Sequence, residues 1–205
     1  MSQPLRVVLT GGPCGGKSKT LAALERTFPN DLLVVPEAAM ILLSGGIPRP
    51  SHGVTVWTQE WQDDFEHAVF ALSHSLERIA DRRAATEGKR LIIYDRSCLD
   101  GAAYVEGTVE EFCKQYRFSY EKELARFDVV IHLQSLAAWD PAQYELYVGE
   151  HRVGEDVATA NLREQKLLTV WEKHKRHVVV KGSPNLKEKV DRVTALITGL
   201  LAESQ

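Results

Sequence analysis

The stretch Gly11-Gly12-Pro13-Cys14-Gly15-Gly16-Lys17-Ser18 follows a short apolar run at positions 5–10 and precedes a segment of helical spacing that ends at Pro29. It fits the pattern G-x-x-x-x-G-K-[ST], in which glycines allow backbone N–H groups to surround a phosphate. The N-terminus of the following helix adds a partial positive charge at the same place. Because strand, glycine loop and helix come in the required order, the stretch predicts a nucleoside triphosphate site rather than a glycine-rich turn that matches by chance.

The phosphate-binding pattern assigns roles to individual residues. We expect Lys17 to reach the β- and γ-phosphates and Ser18 to hold Mg²⁺, so ATP and Mg²⁺ are the predicted cofactors. The predicted cofactor-binding residues form one run along the chain: Gly11, Gly12, Pro13, Cys14, Gly15, Gly16, Lys17, Ser18 and Lys19.

Length and composition limit the remaining possibilities. A chain of 205 residues with 44% hydrophobic and 26% charged residues predicts one globular domain over 1–205. A net charge of -3 gives no sign of a polyanion-binding surface, so a long nucleic-acid partner is not expected. No apolar run has membrane-spanning length, and no membrane partner is expected. Cys14, Cys98 and Cys113 are too few and too scattered for a disulfide framework or a zinc site, which favours the cytoplasm. The oligomeric state stays open.

Five short apolar runs alternate with segments of helical spacing. They lie at 5–10, 32–35, 91–94, 129–133 and 178–180. Uninterrupted apolar runs are typical of strands that are buried on both faces. The succession predicts an α/β fold: a doubly wound, mostly parallel five-stranded sheet with helices on both faces.

The segments between the strands predict helices and two exposed connections. A helix over about 57–84 would bury one stripe, which consists of Trp57, Trp61, Phe65, Leu72, Leu76 and Ile79. Gln59, Gln62 and Glu66 lie opposite, where they either face solvent or, close to a ligand, read the edge of a nucleobase. We expect a loop at 44–56, an irregular segment at 137–157 that belongs to a mobile lid at about 137–165, and a final helix at 186–202.

Two predicted strands run into charged residues at the edge of the sheet where ligands collect. Asp95 is the candidate support for Mg²⁺, with a helix cap as the alternative. Glu37 is the candidate general base for an acceptor hydroxyl, and it would also suit the start of a helix after Pro36. Arg96 could clamp a phosphoryl group or an acidic substrate group, or form a surface ion pair.

Three further residues are candidates for contacts with phosphate or substrate, although no sequence motif supports them directly. Arg152, in the irregular segment, and Arg163, in the helix that follows, could each contact the γ-phosphate in a closed lid, or be solvated. Asp100 could bind a substrate hydroxyl or cap the helix around 101–104.

Several of these elements resemble those of deoxynucleoside kinases. They are Val35-Pro36-Glu37, the pair Gln59 and Gln62, and Asp95-Arg96-Ser97. The resemblance implies that Glu37 acts as the base and that the glutamines read a nucleobase. The sequence departs from that group in three ways. Its triplet begins with Asp rather than the more usual Glu, it lacks the arginine-dense lid, and alanines follow Glu37.

Over nearly its whole length the chain is similar to small P-loop kinase-like ATPases of the AAA_28 type. These are related to nicotinamide riboside kinase domains and to the kinase-like domain of some triphosphate tunnel enzymes. The similar stretches are 11–20, 36–39, 95–104 and a late block from Arg152 to Lys187. This resemblance implies a reaction class more than a substrate.

Together the motifs favour a kinase that transfers the γ-phosphoryl of ATP to a small-molecule hydroxyl, with a nucleoside-like acceptor. A nucleotide-hydrolysing regulatory switch is the alternative, although a switch has no need of a base or a nucleobase-reading helix. A polynucleotide kinase is a further alternative, which the negative net charge disfavours.

Overall fold

The computed structural model describes residues 3–47, 50, 56–148 and 155–203. This part of the chain contains five strands: β1 (Leu5–Thr10), β2 (Leu32–Val35), β3 (Leu91–Asp95), β4 (Val129–Leu133) and β5 (His177–Val180). Its α-helices are α1 (Lys17–Thr27), α2 (Ala38–Gly45), α3 (Gln59–Glu87), α4 (Val109–Gln115), α5 (Tyr120–Leu124), α6 (Leu136–Trp139), α7 (Pro141–Tyr147), α8 (Val157–Trp171) and α9 (Leu186–Glu203). A 3₁₀ helix, Cys98–Ala103, follows β3.

The five strands form one sheet in the order β2-β3-β1-β4-β5, and every neighbouring pair is parallel. The predicted five-stranded α/β fold is therefore confirmed. In the register of the sheet, Leu9 pairs with Asp95 and Thr10 pairs with His132. The carboxyl ends of β3, β1 and β4 thus lie side by side, and the loops that leave them share one edge.

Helices cover both faces of the sheet, because alternate strand residues point to opposite sides. Val8 and Ile92 pack in a cluster with side chains of α3, α4, α5 and α8. Leu9 and Ile93 pack in a second cluster with side chains of α1 and α9. Both clusters include residues of the central strands, so the strands that carry the loops are packed on both faces.

The helix α3 buries only part of the predicted stripe. Phe65 is buried, and Trp61, Leu72 and Leu76 are partly buried in the same cluster, whereas Trp57, just before the helix, is 56% exposed and Ile79 is 43% exposed. The other buried residues of α3 are Glu66, Val69, Ser73, Glu77, Ala80 and Ala84. The two glutamates can be buried because each has hydrogen-bonding partners: Gln62 donates to Glu66, and Arg126 donates to Glu77.

The segment predicted to be irregular, 137–157, contains most of α6 and all of α7. Ser135 and Asp140 accept hydrogen bonds from the first-turn N–H groups of Ala137 and Gln143. Pro141 adds a backbone that is already shaped for a helix start. The remainder, 149–154, lies outside the described residues, and the lid stays a prediction.

The other predicted loop, 44–56, begins two residues too early. The helix α2 continues to Gly45, and positions 48–49 and 51–55 lie outside the described residues. Of the described helices, none is both long enough and apolar enough to cross a membrane.

Candidate functional site

The phosphate-binding loop connects β1 to α1 and packs against the carboxyl end of β4. Gly11 has a φ of +134°, and a Cβ atom there would lie 2.1 Å from the carbonyl oxygen of Leu133. A Cβ atom at Gly12 would lie 2.4 Å from Oε2 of Glu164. Glycine is required at both positions, since any side chain would push the loop away from its support. The loop closes on itself where the N–H of Gly15 donates to the carbonyl of Gly12 at 3.2 Å.

A buried carboxylate from α8 holds this loop from below. Glu164 is 1% exposed, and its Oε2 accepts the N–H of Gly12 at 2.9 Å. Its Oε1 accepts the N–H of Ser135 at 3.2 Å and lies 3.0 Å from Nε2 of His132. Burial raises the pKa of this carboxyl, but His132 and the two N–H groups outweigh burial, and the net shift is downward. The hydroxyl of Ser135 also donates to the carbonyl of Pro13 at 2.6 Å.

Glu164 is not among the predicted site residues, although the sequence of α8 carries one signal for it. The buried positions of α8 include Ala160, Glu164, Leu167 and Trp171, which repeat at helical spacing. A glutamate in the middle of an apolar stripe indicates a buried acid with partners of its own.

Arg96 lies under the loop and connects it to the strand ends. Its φ of +67° is unusual for a residue with a side chain, and only 11% of that side chain is exposed. Its Nη2 donates to the carbonyl of Gly11 at 3.1 Å, and its Nε lies 3.5 Å from Oε1 of Glu37. Its Nη1 is buried and has no hydrogen-bond partner among the described residues. The alternative of a surface ion pair does not fit this burial.

Glu37 occupies the position just before α2, at the end of the segment that leaves β2. Its carboxylate makes no capping hydrogen bond to that helix. The side chain instead meets Arg96, and it keeps 22% of its surface exposed. A carboxylate held by an arginine and open to solvent on one side can still accept a proton from an incoming group.

Asp95 ends β3 with an incompletely satisfied carboxylate. Its Oδ1 is buried and accepts no hydrogen bond from any described residue. Burial is the main cause that raises its pKa, and the positive charge of Lys17 opposes the shift. The 3₁₀ helix that follows is capped by Ser97, so Asp95 does not act as its cap.

Lys17 is the first residue of α1, and its ammonium group is surrounded by charge. Burial lowers the pKa of Lys17 to about 8, and Arg96 contributes in the same direction. Glu37, Asp95 and Asp100 oppose this shift, which shows that all three carboxylates lie within electrostatic range of the amine. The next residues, Ser18 and Lys19, are exposed.

Asp100 is fully engaged within the fold. Its Oδ2 accepts the N–H of Ser97 at 2.8 Å, which completes a capping box. Its Oδ1 accepts from the hydroxyl of Thr10 and from Nε1 of Trp171, and lies 3.7 Å from Nη1 of Arg96. Of the two roles expected for Asp100, the structure displays the cap.

The two glutamines of α3 differ in their surroundings. Gln59 is exposed and donates to Asp63 at 2.9 Å. Gln62 accepts from Nε1 of Trp57 at 3.2 Å and donates to Glu66 at 2.8 Å. The other carboxylate oxygen of Glu66 lies 2.4 Å from where a Cβ atom of Gly101 would be. Gln62 and Glu66 therefore connect the start of α3 to the 3₁₀ helix that carries Asp100.

One arginine of the predicted lid reaches the site. The guanidinium of Arg163 lies 5.0 Å from the centre of the Tyr104 ring, and that of Arg96 lies 5.8 Å from the same ring. Arg163 also pairs with Glu155. The other candidate, Arg152, lies outside the described residues.

The geometry agrees with the result of family comparison. One family model, AAA_28, described as an AAA domain, matches residues 6–189. No curated protein shows significant sequence similarity to the chain. The matched region includes the glycine loop, α8 and all five strands except Leu5, the first residue of β1. The chain therefore belongs to the AAA_28 family of P-loop nucleotide-binding domains.

Proposed function

We propose that this protein is a phosphotransferase that moves the γ-phosphoryl group of ATP to a hydroxyl of a small molecule. The observation that carries the proposal is the contact between Glu37 and Arg96. Glu37 Oε1 lies 3.5 Å from Arg96 Nε, while Arg96 also donates to the loop carbonyl of Gly11. A candidate base is thereby held beside a candidate phosphate-binding loop.

The residues present suit ATP and Mg²⁺. The glycine loop packs tightly on the end of β4 because Cβ atoms are absent from Gly11 and Gly12, and Lys17 follows at its end. Ser18 and the unsatisfied Oδ1 of Asp95 supply oxygen donors of the kind that Mg²⁺ prefers. Ser18 and Asp95 would hold Mg²⁺, and the bound ion would supply positive charge that neutralises part of the phosphate charge.

The protein's own groups then have distinct tasks. Lys17 would become fully charged beside the phosphates, because an anion raises the pKa of a neighbouring amine. Arg96 Nη1 lies 3.7 Å from Asp100 but has no hydrogen-bond partner among the described residues, and it would stabilise negative charge on the transferred group. Arg163 would supply further positive charge, and the proposal gives the same task to Arg152. Glu37 would accept the proton of the acceptor hydroxyl.

We place the acceptor between Glu37 and the first turns of α3. Gln59 and Gln62 offer amide groups there, and amides recognise the edges of nucleobases. This favours a nucleoside-like acceptor. Asp100 is assigned to positioning Arg96, because both its oxygens are engaged within the fold.

The test is to incubate the protein with MgATP and a pooled panel of nucleosides, nucleotides, sugars and short oligonucleotides. Mass spectrometry would identify any species that gains one phosphoryl group. The Lys17→Ala variant should form neither product nor ADP. Glu37→Gln should retain ATP binding and lose about 10²–10⁴-fold in product formation. Glu106→Gln, at an exposed position, is the matched control.

Three other results of this assay would contradict the proposal or a part of it. ADP without a phosphorylated product would identify a hydrolase or regulatory switch and overturn the proposal. Phosphorylation of the oligonucleotides alone would identify a polynucleotide kinase. Full product formation by Glu37→Gln would show that Glu37 is not the base.

A further inference from the structure

Three side chains with metal-binding atoms converge away from the phosphate-binding loop. They are His74 of α3, Cys98 of the 3₁₀ helix and Glu123 of α5. His74 Nε2 lies 3.1 Å from Glu123 Oε2, and Cys98 Sγ lies 3.5 Å from the same oxygen. All three donor atoms lie within 4.8 Å of one another. In the part of the chain that the structure describes, this is the one group of three or more such residues.

These separations match the edges of a small tetrahedral site. Zinc bonds of roughly 2.0–2.3 Å to nitrogen, oxygen and sulfur imply ligand-to-ligand distances of roughly 3.3–3.7 Å. The two measured edges, 3.1 Å and 3.5 Å, need only small side-chain shifts to open around an ion. Imidazole, thiolate and carboxylate are each zinc ligands, whereas thiolate and imidazole are unsuited to Mg²⁺.

The surroundings hold the donors in place and leave an approach. The Phe70 ring lies against His74, with 4.2 Å between the ring centres. Cys98 is buried, whereas 29% of the His74 side chain is exposed. An ion could therefore enter beside His74 without disturbing the core.

The charge balance also leaves room for a cation. Glu123 belongs to an ion-pair network with Glu77, Asp81, Arg6 and Arg126. Three carboxylates and two guanidinium groups leave one negative charge in the network. A divalent ion that binds the Cys98 thiolate would add one net positive charge and neutralise it.

We propose that His74, Cys98 and Glu123 form a zinc site, with water as the fourth ligand. Binding forms a Zn–S bond and releases the thiol proton of Cys98 to solvent. Without a metal, burial and the charge of Glu123 raise the pKa of the Cys98 thiol, so the free site holds a protonated sulfur. The number and spacing of the cysteines predict no zinc site built from several cysteines. The proposed site needs only Cys98, because His74 and Glu123 supply the other protein ligands.

The ion would connect three parts of the fold. The three ligands belong to α3, the 3₁₀ helix and α5, which are separate elements on the same side of the sheet. Cys98 comes two residues after Arg96, so the ion would fix the start of the helix that carries Asp100. The proposal does not depend on the proposed phosphotransfer.

The test uses the full chain without a polyhistidine tag, stripped of metal with a chelator and then titrated with Co²⁺ or Zn²⁺. We expect one ion per chain and, with Co²⁺, a thiolate-to-metal charge-transfer band. Cys98→Ser should abolish this band, and His74→Ala should weaken binding beyond the roughly 10–100-fold that supporting residues contribute. Cys113→Ser and His67→Ala, which alter a cysteine and a histidine outside the cluster, should leave binding unchanged.

Two results would overturn the proposal. One is substoichiometric binding with a tenfold excess of metal, and the other is a charge-transfer band that survives Cys98→Ser. If circular dichroism shows that Cys98→Ser does not fold, the wild-type spectrum decides instead. One bound Co²⁺ without a thiolate band would then exclude Cys98 as a ligand.

Discussion

Among single residues, Glu66 carries a carboxyl group in an unusual environment. It is 4% exposed, and Gln62 is its hydrogen-bond donor in the described part of the chain. Burial raises the pKa of this carboxyl to about 7, although the hydrogen bond from Gln62 opposes the shift. The ordinary value is 4.5, so between these two pH values the folded protein binds a proton that the unfolded chain releases. Folding stability should therefore fall as the pH rises through this window.

The Glu66→Gln variant removes this ionisation while it keeps the shape of the side chain. At pH 8 we expect it to be more stable than the wild type by about 1–3 kcal/mol, since a pKa difference of one unit corresponds to about 1.4 kcal/mol. At pH 4.5 the two proteins should be nearly equal. Urea unfolding at both pH values measures the difference, with Glu106→Gln as an exposed control. Equal gains at the two pH values would show that ionisation of Glu66 is not the cause.

The residues of the site differ in how far the sequence could predict them. Lys17 and Ser18 follow from a motif whose geometry is local, and Asp95 follows from its place at a strand end. Glu66 and Glu164 could not be predicted in the same way. Their burial depends on partners from other elements, such as the N–H of Gly12 that bonds Glu164 across 152 residues of chain.

At the scale of elements, the contact between α8 and the phosphate-binding loop is the most consequential. Glu164 joins the loop, the segment after β4 and His132 through one carboxylate. Its pKa is lowered in spite of burial, which shows that the folded structure favours the ionised form. This contribution to stability is present above the ordinary value of 4.5 and is lost as the pH falls through the lowered pKa.

Glu164→Ala should destabilise the protein by about 2–5 kcal/mol at neutral pH, because each buried N–H group that loses its acceptor costs about 1–3 kcal/mol. The backbone N–H groups of Gly12 and Ser135 would lose their acceptor, His132 would lose its contact with the carboxylate, and the loop would lose its support. Urea unfolding measures the loss, and nucleotide titration should show weaker ATP binding. Glu172→Ala, on the exposed surface after α8, should change stability by less than about 0.5 kcal/mol. A similar loss in both variants would contradict a special role for Glu164.

The helices also show which element signals are reliable. The apolar periodicity of α3 predicted its approximate extent and the burial of Phe65, but it could not predict that Glu66 and Glu77 are buried as well. In contrast, α6 and α7 had readable start signals. Ser135 and Asp140 are common capping residues, and Pro141 suits the first turn of a helix. A search for caps would have found these helices where apolar periodicity could not, because both are short.

For the whole molecule, strand order determines where the site forms. Placing β1 between β3 and β4 brings the glycine loop beside Asp95 on one side and Ser135 on the other. Alternating apolar runs were enough to predict this parallel sheet. A nucleotide on the loop would therefore contact groups from α1 and β3. The loop itself is held by Glu164 of α8. The binding energy of the nucleotide should oppose unfolding of the whole domain.

A non-hydrolysable ATP analogue with Mg²⁺, at about 100 times its dissociation constant, should add about 2.7 kcal/mol to folding stability. For a domain of this size, that gain corresponds to a rise in Tm of about 5–10 °C. Differential scanning calorimetry would measure the shift. The shift should disappear in Lys17→Ala, because the ammonium group that faces the phosphates is lost, and persist in Glu172→Ala. An equal rise in Lys17→Ala would mean that the nucleotide stabilises the protein from somewhere other than the glycine loop.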